Sequence, residues 1–300
     1  MIADPPTPAV PPPAVLDVAD ARMRFGEVVA LDGVSLRINP GECIGLVGHN
    51  GAGKSTIVNV INGGLTPQSG QISSDGAVLT PYSITTARAH GVRCVFQELS
   101  LCPNLTIVEN TRIMHPTLGG MGWRGRARRI IAQALDTIFP GHRIDAGAQV
   151  GSLSIAERQM VEIAMAFSDA AIAPRLVILD EPTSSLDAGL AAQLLAHVRD
   201  FVAAGGAVIL ISHILDEILE TSDRIIVMKD GRIVAERPAR AFTASGLVEA
   251  MGSTTKVQSA RVDAVAGPVV MQIALPRGLP FIARRAEVVG LAGLGGHGQT

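Results

Sequence analysis

Lysine is scarce in this sequence: three of 300 residues, at Lys54, Lys229 and Lys256. Cysteine is as rare. Cys43, Cys94 and Cys102 are odd in number and lack C-x-x-C spacing, which argues against a disulfide framework and against a zinc site. All three are expected to pack in the core. Runs long enough to cross a bilayer are missing, since stretches such as FVAAGGAVILIS (201–212) are short and broken by glycine, and read as buried strands. No basic start leads into an apolar segment of the secretory type, so the product is expected to stay in the cytosol. A formal net charge of −2 supplies no general attraction for nucleic acid. The one locally basic cluster, WRGRARR at 123–129, reads as a solvated helix face, with contact to a partner or to lipid headgroups as the alternative. With 47% hydrophobic residues, a chain of this length can bury a full core and begin a second domain.

Against that background the surroundings of Lys54 stand out. It sits in GHNGAGKST, which fits G-x-x-x-x-G-K-[ST] from Gly48 to Thr56. In this pattern backbone N–H groups of Gly48, Asn50, Gly51, Ala52 and Gly53 wrap a nucleotide's phosphates. Lys54 reaches the β- and γ-phosphates, Ser55 binds Mg²⁺, and Thr56 continues into the helix. With only three lysines available, a chance match is remote.

Residues 1–14 carry six prolines and little that could form a core, so they are expected to be extended and disordered. From Val15 to Ile38, period-two apolar residues and a turn at Asp32-Gly33 predict antiparallel strands. Residues 42–47 read as a buried strand feeding the phosphate loop and a helix beginning near Lys54. A hairpin is expected at Asp75-Gly76 and a core strand at 92–96, ending at Gln97. Helical periodicity dominates from Glu98 to about Ser168. Strands at 176–180, 207–212 and 224–228 then alternate with helices, which predicts a parallel sheet covered by helices. A hairpin at Asp230-Gly231 and a helix to about Met251 complete the unit. Residues 252–266 lose apolar periodicity and read as a linker. Residues 267–300 restart the strand-to-loop pattern, with Gln299 where Lys54 stood, and stop before the next helix; they read as the truncated start of a second domain.

The chemistry is narrowed by the other blocks. LVILDE is an apolar strand ending in two carboxylates, in which Asp180 can hold Mg²⁺ and Glu181 can orient and deprotonate water. Gln97 offers an amide to the metal or to that water. His213, after another strand, can hydrogen-bond a γ-phosphate and help fix the water. Phe25 can stack on a base through its π-face.

In this order the motifs resemble the nucleotide-binding domain of an ATP-binding cassette (ABC) transporter, over residues 15–251. The resemblance implies an α/β P-loop NTPase fold: a parallel core sheet, an antiparallel β subdomain and a helical subdomain. It also assigns LSIAERQ (153–159) as the family signature, with Ser154 facing nucleotide on an opposite domain, and Asp187 as the end of the D-loop. QELSLCPNLTIVEN (97–110) and RQMVEIAMA (158–166) are further similar to the tandem ATP-binding subunits of bacterial simple-sugar importers. That likeness implies an ATPase using ATP and Mg²⁺, peripheral on the cytoplasmic side of the bacterial plasma membrane. Its partners would be membrane permease subunits, indirectly a solute-binding protein, and a second ABC domain, without nucleic acid. Soluble ABC ATPases of DNA repair or translation share several of these motifs; they differ in a long coiled coil between the Walker motifs or in ribosome binding.

One departure concerns the signature. It is usually LSGGQ in the family, whereas Ile155, Ala156 and Glu157 stand here for Gly, Gly and Gln. In a head-to-tail dimer this signature would face the second half's phosphate loop, the one with Gln299. Two unequal sites are therefore expected.

Overall fold

The computed structural model describes residues 13–252, 267–273, 281–285, 287 and 289. The chain divides into two units, 1–254 and 255–300. In the first, β1 (Leu16–Phe25), β2 (Val28–Ile38), β4 (Ser69–Ser74) and β5 (Ala77–Val78) form an antiparallel sheet in the order β2-β1-β4-β5. A second sheet, β10-β9-β3-β8-β7-β6, contains β3 (Cys43–Val47), β6 (Val92–Val95), β7 (Leu176–Asp180), β8 (Ala207–Ile211), β9 (Arg224–Lys229) and β10 (Arg232–Pro238). Its pairs are parallel except β9 with β10, which the Asp230-Gly231 turn joins as a hairpin.

Strands β3 and β8 are buried at every position, as strands covered on both faces must be. Side-chain alternation divides their residues between two cores. Ile44, Leu46, Ile178, Ile209 and Ile226 face the antiparallel sheet and helix α1 (Lys54–Ile61). Val47, Val177, Leu179, Leu210 and Val227 face the helices on the other side. Those include α3 (Ile107–Met114), α4 (Trp123–Ile138), α5 (Ile155–Phe167) and α6 (Ala188–Ala203); α2 (Ile84–Ala89) precedes β6. Helices α7 (Leu215–Thr221) and α8 (Ala244–Ala250) close the unit.

Several expectations shift. Asp32-Gly33 is not a turn but lies inside β2, and the hairpin turns instead at Gly26-Glu27. Gly33 still has a left-handed φ of 77°, next to an irregular register against β1, so its glycine signal marks a kink in a strand. Asp75 and Gly76, both at positive φ, do make the tight turn between β4 and β5. Ala14, assigned to the disordered segment, is buried, and its carbonyl accepts the Asp75 N–H. Cys43 and Cys94 are buried as expected, but Cys102 is exposed, because it falls in the loop between β6 and α3. The basic cluster forms the first two turns of α4, with Arg124, Arg126, Arg128 and Arg129 outward and Ala127 inward.

In the second unit, β11 (Val269–Ile273) and β12 (Phe281–Arg284) pair antiparallel. Most of the linker at 252–266 and the loop containing Gln299 lie outside the described residues.

Candidate active site

The parallel strands end at one edge, where open α/β sheets place their ligands. β3 releases the phosphate loop, β8 leads to His213, β7 ends at Asp180 with Glu181 next, and β6 is followed by Phe96 and Gln97. Because the sheet order is β3-β8-β7-β6, these groups stand side by side although His213 lies 165 residues after Gly48 in the sequence. Long-range pairing alone brings them together.

The phosphate loop needs its glycines. Gly53 has φ 102°, and a Cβ there would lie 2.6 Å from the Ala30 carbonyl oxygen of β2. A Cβ on Gly48 would collide with the Met228 carbonyl of β9. The Gly231 N–H donates to Ala52 O and the Asp32 N–H to Gly231 O, so the loop is wedged between β2 and the β9–β10 turn. Gly53→Ala is expected to destabilise the fold by about 1–3 kcal/mol, measured by chemical denaturation, because a left-handed φ and a backbone clash coincide.

Lys54 lies at the start of α1, and its ammonium donates to Gly48 O at 2.6 Å and His49 O at 3.2 Å. The positive charge is thus held within the curve of the loop. Burial lowers its pKa, while Asp180 and Glu181 act in the opposite direction. Burial raises the pKa of Asp180, with Glu181 adding to the effect and Lys54 opposing it. Ser55 and Thr56 occupy the first turn of α1, beside the loop.

Glu181 is the hub. The Gln97 amide donates to Glu181 Oε2 at 3.2 Å, and His213 Nδ1 lies 3.5 Å from Glu181 Oε1. Glu181 itself has a left-handed φ of 50°, uncommon for glutamate, while its N–H donates to Ile211 O of β8 at 2.8 Å. Such a backbone persists only where neighbours hold it, and it occurs preferentially at functional sites. A cleft of about 290 Å³ joins Lys54, Glu181 and His213, with Val248 and Met251 from the α8 region on its wall.

Two further predicted residues, Ser154 and Asp187, lie at helix N-termini away from this cleft. Ser154 is the N-cap of α5: its hydroxyl donates to Glu157 Oε2 at 2.8 Å and accepts the Glu157 N–H at 3.2 Å. Asp187 caps α6 by accepting the Leu190 N–H at 2.9 Å. Neither contacts the Lys54 cleft. Phe25 ends β1, 51% exposed, two residues before the hairpin returns toward Ala30 and the loop.

Sequence reasoning missed a supporting glutamate. Glu217 of α7 accepts from Ser212 Oγ at 2.8 Å and Thr183 Oγ1 at 3.0 Å, and Ser212 Oγ accepts the Ile214 N–H. These bonds fix the segment on either side of His213 and the one after Glu181. The only trace in the sequence is a carboxylate four residues after the histidine, on a helix.

The residues suit a nucleoside triphosphate with its cation. Gly48 and Gly53 let the loop pack against β9 and β2, the Lys54 ammonium lies within its curve, and Ser55 and Asp180 carry oxygens of the kind a cation takes. Among the described residues, no cluster of three or more His, Cys, Asp or Glu side chains could hold a metal by itself. Mg²⁺ commonly takes one or two protein oxygens and completes its shell with phosphate and water.

The family described as "ABC transporter" matches residues 31–184, just over half of the chain. The chain belongs to the ABC transporter family. It is 36% identical over 293 residues to a ribose import ATP-binding protein of Rubrobacter xylanophilus, covering 95% of this chain and 58% of that protein. It is 38% identical to a ribose import ATP-binding protein of Chelativorans, covering 92% and 55%. The chain therefore spans little more than half the length of these relatives. Among solved structures, a dimeric bacterial ABC transporter cassette aligns with TM-score 0.66 at 26% identity, covering 76% of this chain and all of that one. A cassette in a post-hydrolysis state, bound to ADP and phosphate, aligns with TM-score 0.64 at 26% identity, with the same coverage of both chains. Among the described residues no helix is long and apolar enough to cross a membrane.

Proposed function

We propose that the chain is the ATP-binding and ATP-hydrolysing part of a bacterial importer for a monosaccharide or similar small polar solute. The observation that carries this reading is the convergence of Gln97 and His213 on Glu181, across the cleft from Lys54. ATP binds with its phosphates on Gly48–Thr56 and its base at Phe25. The α1 N-terminus adds favourable potential. Ser55 and Asp180, with Gln97 nearby, would hold Mg²⁺, which would neutralise charge on the phosphates. Glu181 accepts a proton from water, and His213 keeps that carboxylate and the γ-phosphate in register. The protein works at the cytoplasmic face of the plasma membrane, against permease subunits served by a solute-binding protein. Helices between the two Walker motifs reach 16 residues at most, which favours a transporter over repair ATPases with a long inserted coiled coil.

A second ABC domain, in the full-length chain or in a dimer partner, supplies a signature to the Lys54 site, and Ser154 serves that domain's own phosphate loop. In this chain the Ser154 hydroxyl already donates to the Glu157 carboxylate, and that negative charge sits at the helix end meant to face phosphate. The second site is accordingly weak. Burst and steady-state phosphate release from the full-length protein should count one hydrolysing site per polypeptide. Two sites of equal turnover would refute the asymmetry.

A further inference from the structure

The loop that begins at Gln97 is held from beneath by a carboxylate that takes no part in the chemistry at Glu181. Glu162 lies in the middle of α5 and is 1% exposed. Burial raises its pKa, whereas the bonds from Ser100 act to lower it. Its Oε1 accepts from Ser100 Oγ at 2.7 Å, and the Ser100 N–H donates to Oε2 at 2.9 Å and Oε1 at 3.2 Å. Further along, Asn110 of α3 accepts the Cys102 N–H at 2.8 Å and donates to Cys102 O at 3.1 Å. Between Gln97 and Cys102 the chain is thus pinned at Glu181, at Glu162 and at Asn110. The Glu162 pin is the one nearest Gln97 along the loop, three residues away.

Burying a carboxylate in a core is costly unless it is fully paired, and an apolar residue there would ordinarily be at least as stable. Its neighbours on α5, Val161 and Ile163, are ordinary core side chains. A glutamate at this point fixes the loop's backbone rather than filling space.

We propose that Glu162 is a positioning residue: through Ser100 it sets the reach of the Gln97 amide toward Glu181. The same bonds tie the Gln97 loop to α5, the helix capped by Ser154. This rests on the reading of Glu181 as the base that activates water, and on Gln97 acting beside it.

The test is a double-mutant cycle on the full-length protein, following ATP hydrolysis and ATP affinity separately. Glu162→Ala should lower kcat about tenfold with the ATP dissociation constant changed less than about twofold, as expected when charge-assisted hydrogen bonds that orient a group are lost. Glu162→Gln, whose amide oxygen still accepts from Ser100, should restore most of that rate. In a Gln97→Ala background, Glu162→Ala should cause almost no further loss. Equal losses in both backgrounds would overturn the proposal, because Glu162 would then act without Gln97. Unchanged kcat in Glu162→Ala would overturn it too. If Glu162→Ala does not fold, Ser100→Ala removes only the hydroxyl bond and should lower kcat about threefold with the same non-additivity. An additive or absent effect there counts equally against the proposal. Wild-type protein that neither binds nor hydrolyses ATP would instead refute the underlying functional reading.

Discussion

Glu181→Gln in the full-length protein is expected to retain ATP binding and to slow hydrolysis by about 100-fold or more, within the range for loss of a general base. The substitution is nearly isosteric. It preserves the left-handed backbone at φ 50° and the N–H bond to Ile211 O, so the loop after β7 keeps its course. What changes is proton affinity: a carboxylate can take a proton from water and an amide cannot. The Gln97 amide can still donate to the remaining side-chain oxygen. Binding affinity and turnover should therefore separate cleanly, which a misfolded site would not permit. Wild-type turnover in Glu181→Gln would remove Glu181 from its role as base.

Lys54→Ala should act earlier, on binding itself, weakening ATP affinity by about 100-fold. Among the described residues, it is the one lysine or arginine side chain on the cleft wall, and two carbonyls of its own loop hold it in place. Removing it leaves Asp180 and Glu181 with no compensating charge from α1, in a place where burial already disfavours the ionised Asp180. A triphosphate then meets acidic groups without its counter-charge. Equilibrium titration with a fluorescent ATP analogue reads this directly; unchanged affinity would mean that the phosphates do not rest on Gly48–Thr56.

Much of this architecture was legible in the sequence because it is local. The all-apolar runs at β3, β7 and β8 announce strands buried on both faces, and the alternation of strands with helices announces their parallel pairing. Glycines at Gly48, Gly51 and Gly53 encode the loop. What stayed hidden is set by partners distant in sequence. Asp32 pairs with Arg22 and Arg232, and its N–H meets Gly231 O, so a dipeptide with turn chemistry is drawn into a strand instead. Glu217 and Glu162 look like ordinary helical carboxylates until the fold sets them beneath His213 and Gln97. Ser154 shows a third kind of gap. S-x-x-E is a legible capping box, and it occupies the very residues that the signature resemblance claims, so one pattern obscured the other.

The central claim is that one cleft binds ATP against Lys54 and cleaves it with Glu181. Single-turnover phosphate release from ATP and Mg²⁺ by the full-length polypeptide tests it most directly. The account predicts saturable release that Lys54→Ala abolishes at moderate ATP and Glu181→Gln slows at every ATP concentration. Release unaffected by either substitution, or no saturable binding of ATP by the wild-type protein, would contradict it.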